Sequence, residues 1–423
     1  MTTSFAIKRL GIYGALHTSS IQFNSAIFRC VVGILANVPP TTVAIITGIE
    51  FLLNCILEVP TGRLADRYGR IPCAILGHIS VILGLSCGYT ALLLGGQGQA
   101  AEWLFIAHGF FIGFTRPLIS GSVNAFYRDA IEREEKRGEH RDSGHSMTLS
   151  KTFGKYFSTI SILAAFGLLY LLNGKGMTHH AFLPGIILWA VTLCWLAVDY
   201  RRFGDRRFSP SPLFNIAKMF KNGKVLAATF YTISIFAFAV IVGGYLLISI
   251  GRELGLGLDN LEDERTWILM FLFALSSQGI GSAVAGHILP KLVKKVSTKN
   301  YISLFYIVLI VSNIVFLRDL KEMGFLVFAA LIVLYGIFYV LATHAIMAKS
   351  RDMLLNEFPP QDHAMALSLV NMPGVLVFAG YSLYLTRWGG GAPSLREAFL
   401  SVGSIAAICL LVHLALRRNE GTK

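Results

Sequence analysis

Apolar residues in this chain gather in long runs, separated by short stretches of charged residues, glycine and proline. Each run is about 20 residues long, the length a helix needs to cross the hydrocarbon of a bilayer. The pattern predicts twelve helices with approximate bounds set by hydropathy. They run Leu10 to Ala36, Thr41 to Pro60, Ile71 to Leu94, Trp103 to Phe126, Leu149 to Leu172 and Ala181 to Asp199. The second set runs Val225 to Ile250, Trp267 to Leu289, Tyr301 to Leu317, Gly324 to Ala348, Ala364 to Thr386 and Leu395 to Leu416. Arg128 to Ser146 reads as a charged connector. Tyr200 to Lys224, rich in Arg, Lys, Pro and Ser, reads as the boundary between halves. The expected organisation is a bundle over 1–199, a cytoplasmic central loop over 200–224 and a second bundle over 225–423.

Composition agrees with this reading. The chain is 54% hydrophobic and 14% charged, with mean hydropathy +0.61. Soluble domains carry about a quarter charged residues. A net charge of +13 would suggest nucleic acid in a soluble protein, but most of the 37 lysines and arginines sit in short connectors on one side of the predicted helices. That asymmetry predicts both termini in the cytoplasm, and no nucleic-acid partner is expected. The six cysteines fall in apolar runs, with neither metal nor disulfide spacing. No metal or cofactor is expected. The first run carries Gln22, Asn24 and Arg29 and no small-residue cleavage site follows it, so it reads as a retained helix.

Between the second and third runs stands Glu58-Val-Pro-Thr-Gly-Arg-Leu-Ala-Asp-Arg-Tyr-Gly-Arg70. Gly62, Leu64, Ala65, Asp66, Arg67, Gly69 and Arg70 fit the spacing G-x-L-A-D-R-x-G-R, with Ile71 where a further basic residue is usual. This resembles the loop between helices 2 and 3 of the major facilitator superfamily. The Glu-Val-Pro-Thr lead-in resembles a bacterial branch of it. Gly113, Ser120, Gly121, Ala125 and Asp129 are similar to that branch's helix 4 pattern. The resemblance implies two six-helix bundles in parallel repeat. It also implies a gating latch in which Glu58, Asp66 and Asp129 meet Arg67 or Arg70; the bland alternative is that the arginines only set topology. A degenerate second copy, Gly286 to Lys295, follows helix 8, with Pro290 in place of the aspartate. Arg351-Asp352 echoes Arg128-Asp129 at nearly the same interval.

Polar residues inside lipid are costly and so point to function. Several form stripes at helical spacing: Thr18, Gln22, Ser25 and Arg29; Glu50, Asn54 and Glu58; Arg116, Ser120 and Asn124; Tyr335, Tyr339 and Thr343, with His344 beside them. Lys151, Lys155 and Ser158 open helix 5. Glu50 lies roughly 15 Å into helix 2 at 1.5 Å per residue, which makes it a proton-coupling candidate. The alternative is a structural ion pair with Arg29 or Arg116. Gln22, Arg29, Asn54, Arg116, Lys155, Tyr335, Tyr339 and His344 are substrate-binding candidates, and the cations among them favour an anionic solute. His17, His108 and His344 could titrate, although a lone helical histidine is more often a packing residue. Gln278 with Gly279 and Gly281, and Asn371 with Pro373-Gly374, read as bend or close-packing sites.

The chain therefore reads as an all-α, multi-pass secondary transporter working by alternating access, with the proton as coupling ion. Its partners are the lipid bilayer and a small organic, anionic solute, for example a siderophore or carboxylated metabolite. The branch resemblance implies export across a bacterial inner membrane by a monomer. An importer or uncoupled facilitator, a multidrug efflux carrier, and a channel or non-transporting sensor are the alternatives. Helix 5 lacks the Gly-Pro run of the drug–proton antiporter branches, and their arginine early in helix 4 is absent, since His108 and Gly109 occupy that region. No nucleophile–base pairing or phosphate-binding loop appears, so an enzyme is not expected.

Overall fold

The computed structural model describes residues 5–204 apart from 36, 37, 39, 120, 121, 137–142 and 174. In the remainder it describes 222–240, 263–273, 395–421 and scattered helical positions between 275 and 380. All regular structure among the described residues is helical. The chain divides into two compact units, Met1–Pro212 and Leu213–Lys423.

Among the described residues the first unit contains seven helices: α1 (Phe5–Cys30), α2 (Pro40–Tyr68), α3 (Arg70–Leu93), α4 (Gln99–Ile119), α5 (Ser122–Lys136), α6 (Ser143–Asn173) and α7 (Phe182–Phe203). A π turn, Val31–Leu35, ends α1, and a 3-10 turn, Thr178–Ala181, leads into α7. α1 packs on α6 and α7, α3 on α4 and α7, and α2 on α4. Two described helical segments, Arg70–Leu93 and Thr178–Phe203, are long and apolar enough to cross a membrane by strict composition.

Two boundaries differ from expectation. α2 does not stop at Pro60; it runs through most of the charged motif to Tyr68. Leu64, Ala65 and Arg67 are good helix formers, and the Thr61 hydroxyl donates to the Leu57 carbonyl at 2.6 Å beside the proline. The break falls at Gly69, whose φ of 109° belongs to glycine. Its N–H closes the helix on the Ala65 carbonyl at 3.0 Å.

The second correction concerns the connector Arg128 to Ser146, which is helical to Lys136 and again from Ser143. Val123, Phe126, Tyr127, Ala130, Ile131 and Glu134 are buried at helical intervals. That stripe holds α5 against the unit although most of its other positions are charged.

α4 approaches its neighbours through glycines. A Cβ at Gly77 of α3 would lie 2.6 Å from Ile119 Cγ1, and one at Gly109 of α4 would lie 2.8 Å from the Ile46 carbonyl oxygen. Small residues allow membrane helices such close contact.

In the second unit the described helices are Gly223–Val240 and Leu395–Gly421, which pack on each other, with further helical residues at 263–273. A Cβ at Gly281 would lie 3.0 Å from Ile337 Cα, so this glycine is a close-packing site between two segments.

Candidate transport site

The α2–α4 face sets the position of Glu50. A Cβ added at Gly113 would meet Leu53 Cβ at 2.9 Å and the Glu50 Cα and carbonyl oxygen at 3.1 Å. The Glu50 backbone is therefore pressed onto α4, and its side chain is half-buried. One turn on, Asn54 is buried, and its Oδ1 has no hydrogen-bond partner among the described residues. At the next turns Glu58 is half-buried, and the Thr61 hydroxyl reaches the Pro117 carbonyl of α4 at 3.1 Å. The face thus presents a partly open carboxyl above a buried amide.

The other candidates separate into three groups. Gln22 on α1 is half-buried and Arg116 on α4 is exposed. Tyr339 is 8% exposed, and the neighbouring Thr343 hydroxyl donates to the Val340 carbonyl at 3.0 Å. The side chains of Arg29 and Lys155, and residues Tyr335 and His344 altogether, lie outside the described residues. In the gating motif, Gly69 is buried, Arg70 is half-buried, and Ala65 packs with Cys73, Leu118 and Phe114. Gly62, Asp66, Arg67 and Asp129 lie on helices, and their side chains are outside the described set.

A second polar array runs between α1, α3 and α7. Asp199, fully buried on α7, forms an ion pair with Arg9 and accepts a hydrogen bond from the Tyr127 hydroxyl of α5. The Arg9 guanidinium lies 3.6 Å from the centre of the Trp195 ring, a cation–π contact. One turn along α1, the Tyr13 ring stands 5.8 Å from Tyr127, and its hydroxyl lies 3.4 Å from His78 Nε2. His17 stacks on Tyr13 at 5.3 Å, and Trp189 sets its edge against both His17 and His78. Farther on, Ser20 meets Thr192 at 3.2 Å, and the Asn24 amide lies against Gly185.

Sequence reading overlooked most of this array. Arg9, Tyr13, His17, Ser20 and Asn24 also follow helical spacing, but on a different face of α1 from Thr18, Gln22, Ser25 and Arg29. His17 is therefore not a lone histidine. His108 is packed: its Nδ1 lies 2.7 Å from the Gly84 carbonyl and its ring stacks on Phe28 at 4.6 Å. The ends of the unit are tied by α5. Glu134 accepts from the Ala6 N–H at 3.2 Å, at the start of α1, and Arg133 donates to the Phe203 carbonyl at 2.7 Å, at the end of α7. Each charge complements the helix end it meets.

Among the described residues no group of His, Cys, Asp and Glu is arranged to hold a metal ion. Among the described residues no cysteine is in a disulfide.

Comparison with known proteins places this architecture. The model of the Major Facilitator Superfamily matches residues 10–372. No curated protein sequence matches the chain. Solved structures match in fold over nearly the whole length. The chain is similar to the nucleoside transporter NupG, with TM-score 0.67 and 14% identity, covering 97% of this chain and 99% of that one. It is similar to a D-xylose-proton symporter, with TM-score 0.66 and 11% identity, covering 96% and 97%. It is also similar to a POT family transporter solved with a thioalcohol-conjugated peptide, with TM-score 0.68 and 13% identity, covering 98% and 96%. A family match over most of the chain, on an all-helical fold shared with transporters, makes this a multi-pass membrane protein and a transporter rather than an enzyme: the chain belongs to the Major Facilitator Superfamily.

Proposed function

We propose that this transporter exports a small organic anion by alternating access, coupled to proton entry through Glu50, with twelve spans and both termini in the cytoplasm of a bacterial cell. The observation that carries the coupling is the half-buried Glu50 carboxyl on α2, fixed against Gly113 and followed one turn later by the buried Asn54. An ionisable side chain within a span is by default a candidate for function. One fold neighbour, the D-xylose-proton symporter, couples transport to protons, which supports the same energy source here.

The anionic character of the solute rests on Arg116, exposed on α4, together with Arg29 and Lys155. A guanidinium stays charged throughout the physiological range and grips carboxylates through its planar fork. The direction rests on the Glu-Val-Pro-Thr-Gly lead-in. In the latch, Asp66 and Asp129 engage Arg67 or Arg70 in one state and release in the other, and the kink at Gly69 gives the motif its fixed exit into α3.

The test is uptake by inverted vesicles carrying the wild type or Glu50→Gln, with and without an imposed pH gradient. The expected result is loss of gradient-driven accumulation in Glu50→Gln with retained exchange of solute. Unchanged accumulation would sink the coupling role.

A further inference from the structure

The junction of Tyr13, His78 and Trp189 has a counterpart in the second unit. Tyr231, on the helix Gly223–Val240, lies with its hydroxyl 2.6 Å from Nδ1 of His413, on the helix Leu395–Gly421. Tyr306 joins them: its ring is 6.4 Å from His413 and its hydroxyl 3.3 Å from Ser234. In the predicted order these are the first, third and last helices of the second half. Tyr13, His78 and Trp189 sit on the first, third and last helices of the first half. The residue intervals are close to the one that separates the two copies of the loop motif. Each half thus closes the same three-helix junction with a tyrosine, an imidazole and one more aromatic ring. The imidazole comes from the third helix in one half and from the last helix in the other.

Hydrogen-bond roles give the first junction a direction. His78 is fully buried, and its Nδ1 lies 2.7 Å from the Ala74 carbonyl, an acceptor that needs a donor. Nδ1 therefore carries the hydrogen, and Nε2 presents a lone pair to the Tyr13 hydroxyl. The titratable groups that face this ring from the packed elements are Tyr13 and His17 of α1. Tyr127 of α5, Asp199 of α7 and Arg9 form the next layer beyond Tyr13; on α4, Glu102 and Arg116 are exposed and His108 is bonded elsewhere, to Gly84. His17 Nδ1 is itself buried without a hydrogen-bond partner among the described residues. Tyr231 and Tyr306 are the titratable groups that face His413 among the described residues, with Cys409 one turn earlier on its own helix.

We propose that these two tyrosine–imidazole pairs are proton-binding sites, one in each half, separate from Glu50. A hydronium proton adds to the lone pair of His78 Nε2, and the O–H bond it leaves behind becomes a water lone pair. The new N–H then points at the Tyr13 oxygen, which turns from donor to acceptor, and its hydroxyl hydrogen rotates towards the Tyr127 and Asp199 side. No other bond forms or breaks. In the second half the ring nitrogen facing Tyr231 takes the same part. Charging either ring places a cation among aromatic and apolar groups where the first helix of each half meets its third and last. These sites extend the proton-coupled reading, but their test needs no substrate and does not depend on Glu50.

The test uses the full-length protein in lipid nanodiscs with 15N-labelled histidine, followed by NMR from about pH 8 to about pH 3, a range that extends well below ordinary imidazole titration. Signals lost in His78→Gln and His413→Gln assign the two rings. At high pH His78 should show a neutral ring with hydrogen on Nδ1. Both rings should convert to imidazolium on acidification. Tyr13→Phe should move the midpoint of His78 and leave His413 in place, and Tyr231→Phe should do the reverse. This crossed response also assigns the signals should a glutamine variant fail to fold. Rings that stay neutral over the whole range overturn the proposal. So do midpoints indifferent to the tyrosine substitutions.

Discussion

Two faces of the first unit treat polar residues in opposite ways. Between α1, α5 and α7 the charges are sealed: Asp199 is fully buried and spends both carboxylate oxygens on Arg9 and Tyr127. Between α2 and α4 the helices meet through glycine, and the carboxyl of Glu50 stays half-buried. The first arrangement resists change, because losing one partner strands a buried charge. The second leaves a carboxyl that can exchange its surroundings. A transporter needs both, a rigid spine within each bundle and a responsive surface upon it.

The sharpest way to break this contrast is Asp199→Ala. It leaves Arg9 without its anion and Tyr127 without its acceptor. Disrupting a buried pair costs about 3 to 5 kcal/mol, so the thermal midpoint of the purified protein should fall further than for Gly113→Ala, Thr61→Val or Ser20→Ala. An Asp199→Ala protein as stable as the wild type would show that the sealed array is not the spine.

Gly113→Ala should come next. The added Cβ meets backbone atoms of Glu50 as well as Leu53, at 2.9 to 3.1 Å, so α2 must move. Overpacking of this kind costs about 1 to 3 kcal/mol. Because it displaces Glu50, transport should drop more than stability. Equal loss in both readouts would mean that the α2–α4 face is only scaffold. Thr61→Val tests the same face more gently. It removes the hydroxyl bond to Leu57 and the contact with Pro117, worth about 1 kcal/mol, and melting curves should register a small drop. Ser20→Ala, on the sealed face, should matter least: it removes a bond to the Leu16 carbonyl within α1 and a contact with the Thr192 hydroxyl, which keeps its own bond to the Leu188 carbonyl.

Much of the architecture was legible in the sequence because apolar run length is a direct consequence of bilayer thickness. The helix 2–3 motif identified the family for the same kind of reason, since its charges lie between two membrane-length segments. What hydropathy could not show was where helices continue beyond the apolar runs. α2 reaches Tyr68, and α5 carries a buried stripe among charges that averages to a polar connector. The polar residues of α1 were only partly legible for a related reason. Thr18, Gln22, Ser25 and Arg29 form one polar line, and Arg9, Tyr13, His17, Ser20 and Asn24 form another. Single-helix spacing cannot tell which line meets a partner. The signal that could have found the second line is pairing across helices: Asp199 closing α7 near the level of Arg9, and His78 on α3 near that of Tyr13.

The measurement that bears most directly on the transport reading is ligand-dependent stability of the detergent-purified protein, screened against small solutes at about pH 5.5 and about pH 7.5. A ligand at about 100 times its dissociation constant stabilises a protein by ~2.7 kcal/mol. Hits are expected among organic anions such as siderophores and carboxylated metabolites, with an effect that changes between the two pH values, is lost in Arg116→Ala and loses its pH dependence in Glu50→Gln. Hits confined to lipophilic cations, unaffected by either substitution, would contradict both the anionic substrate and the part given to Glu50.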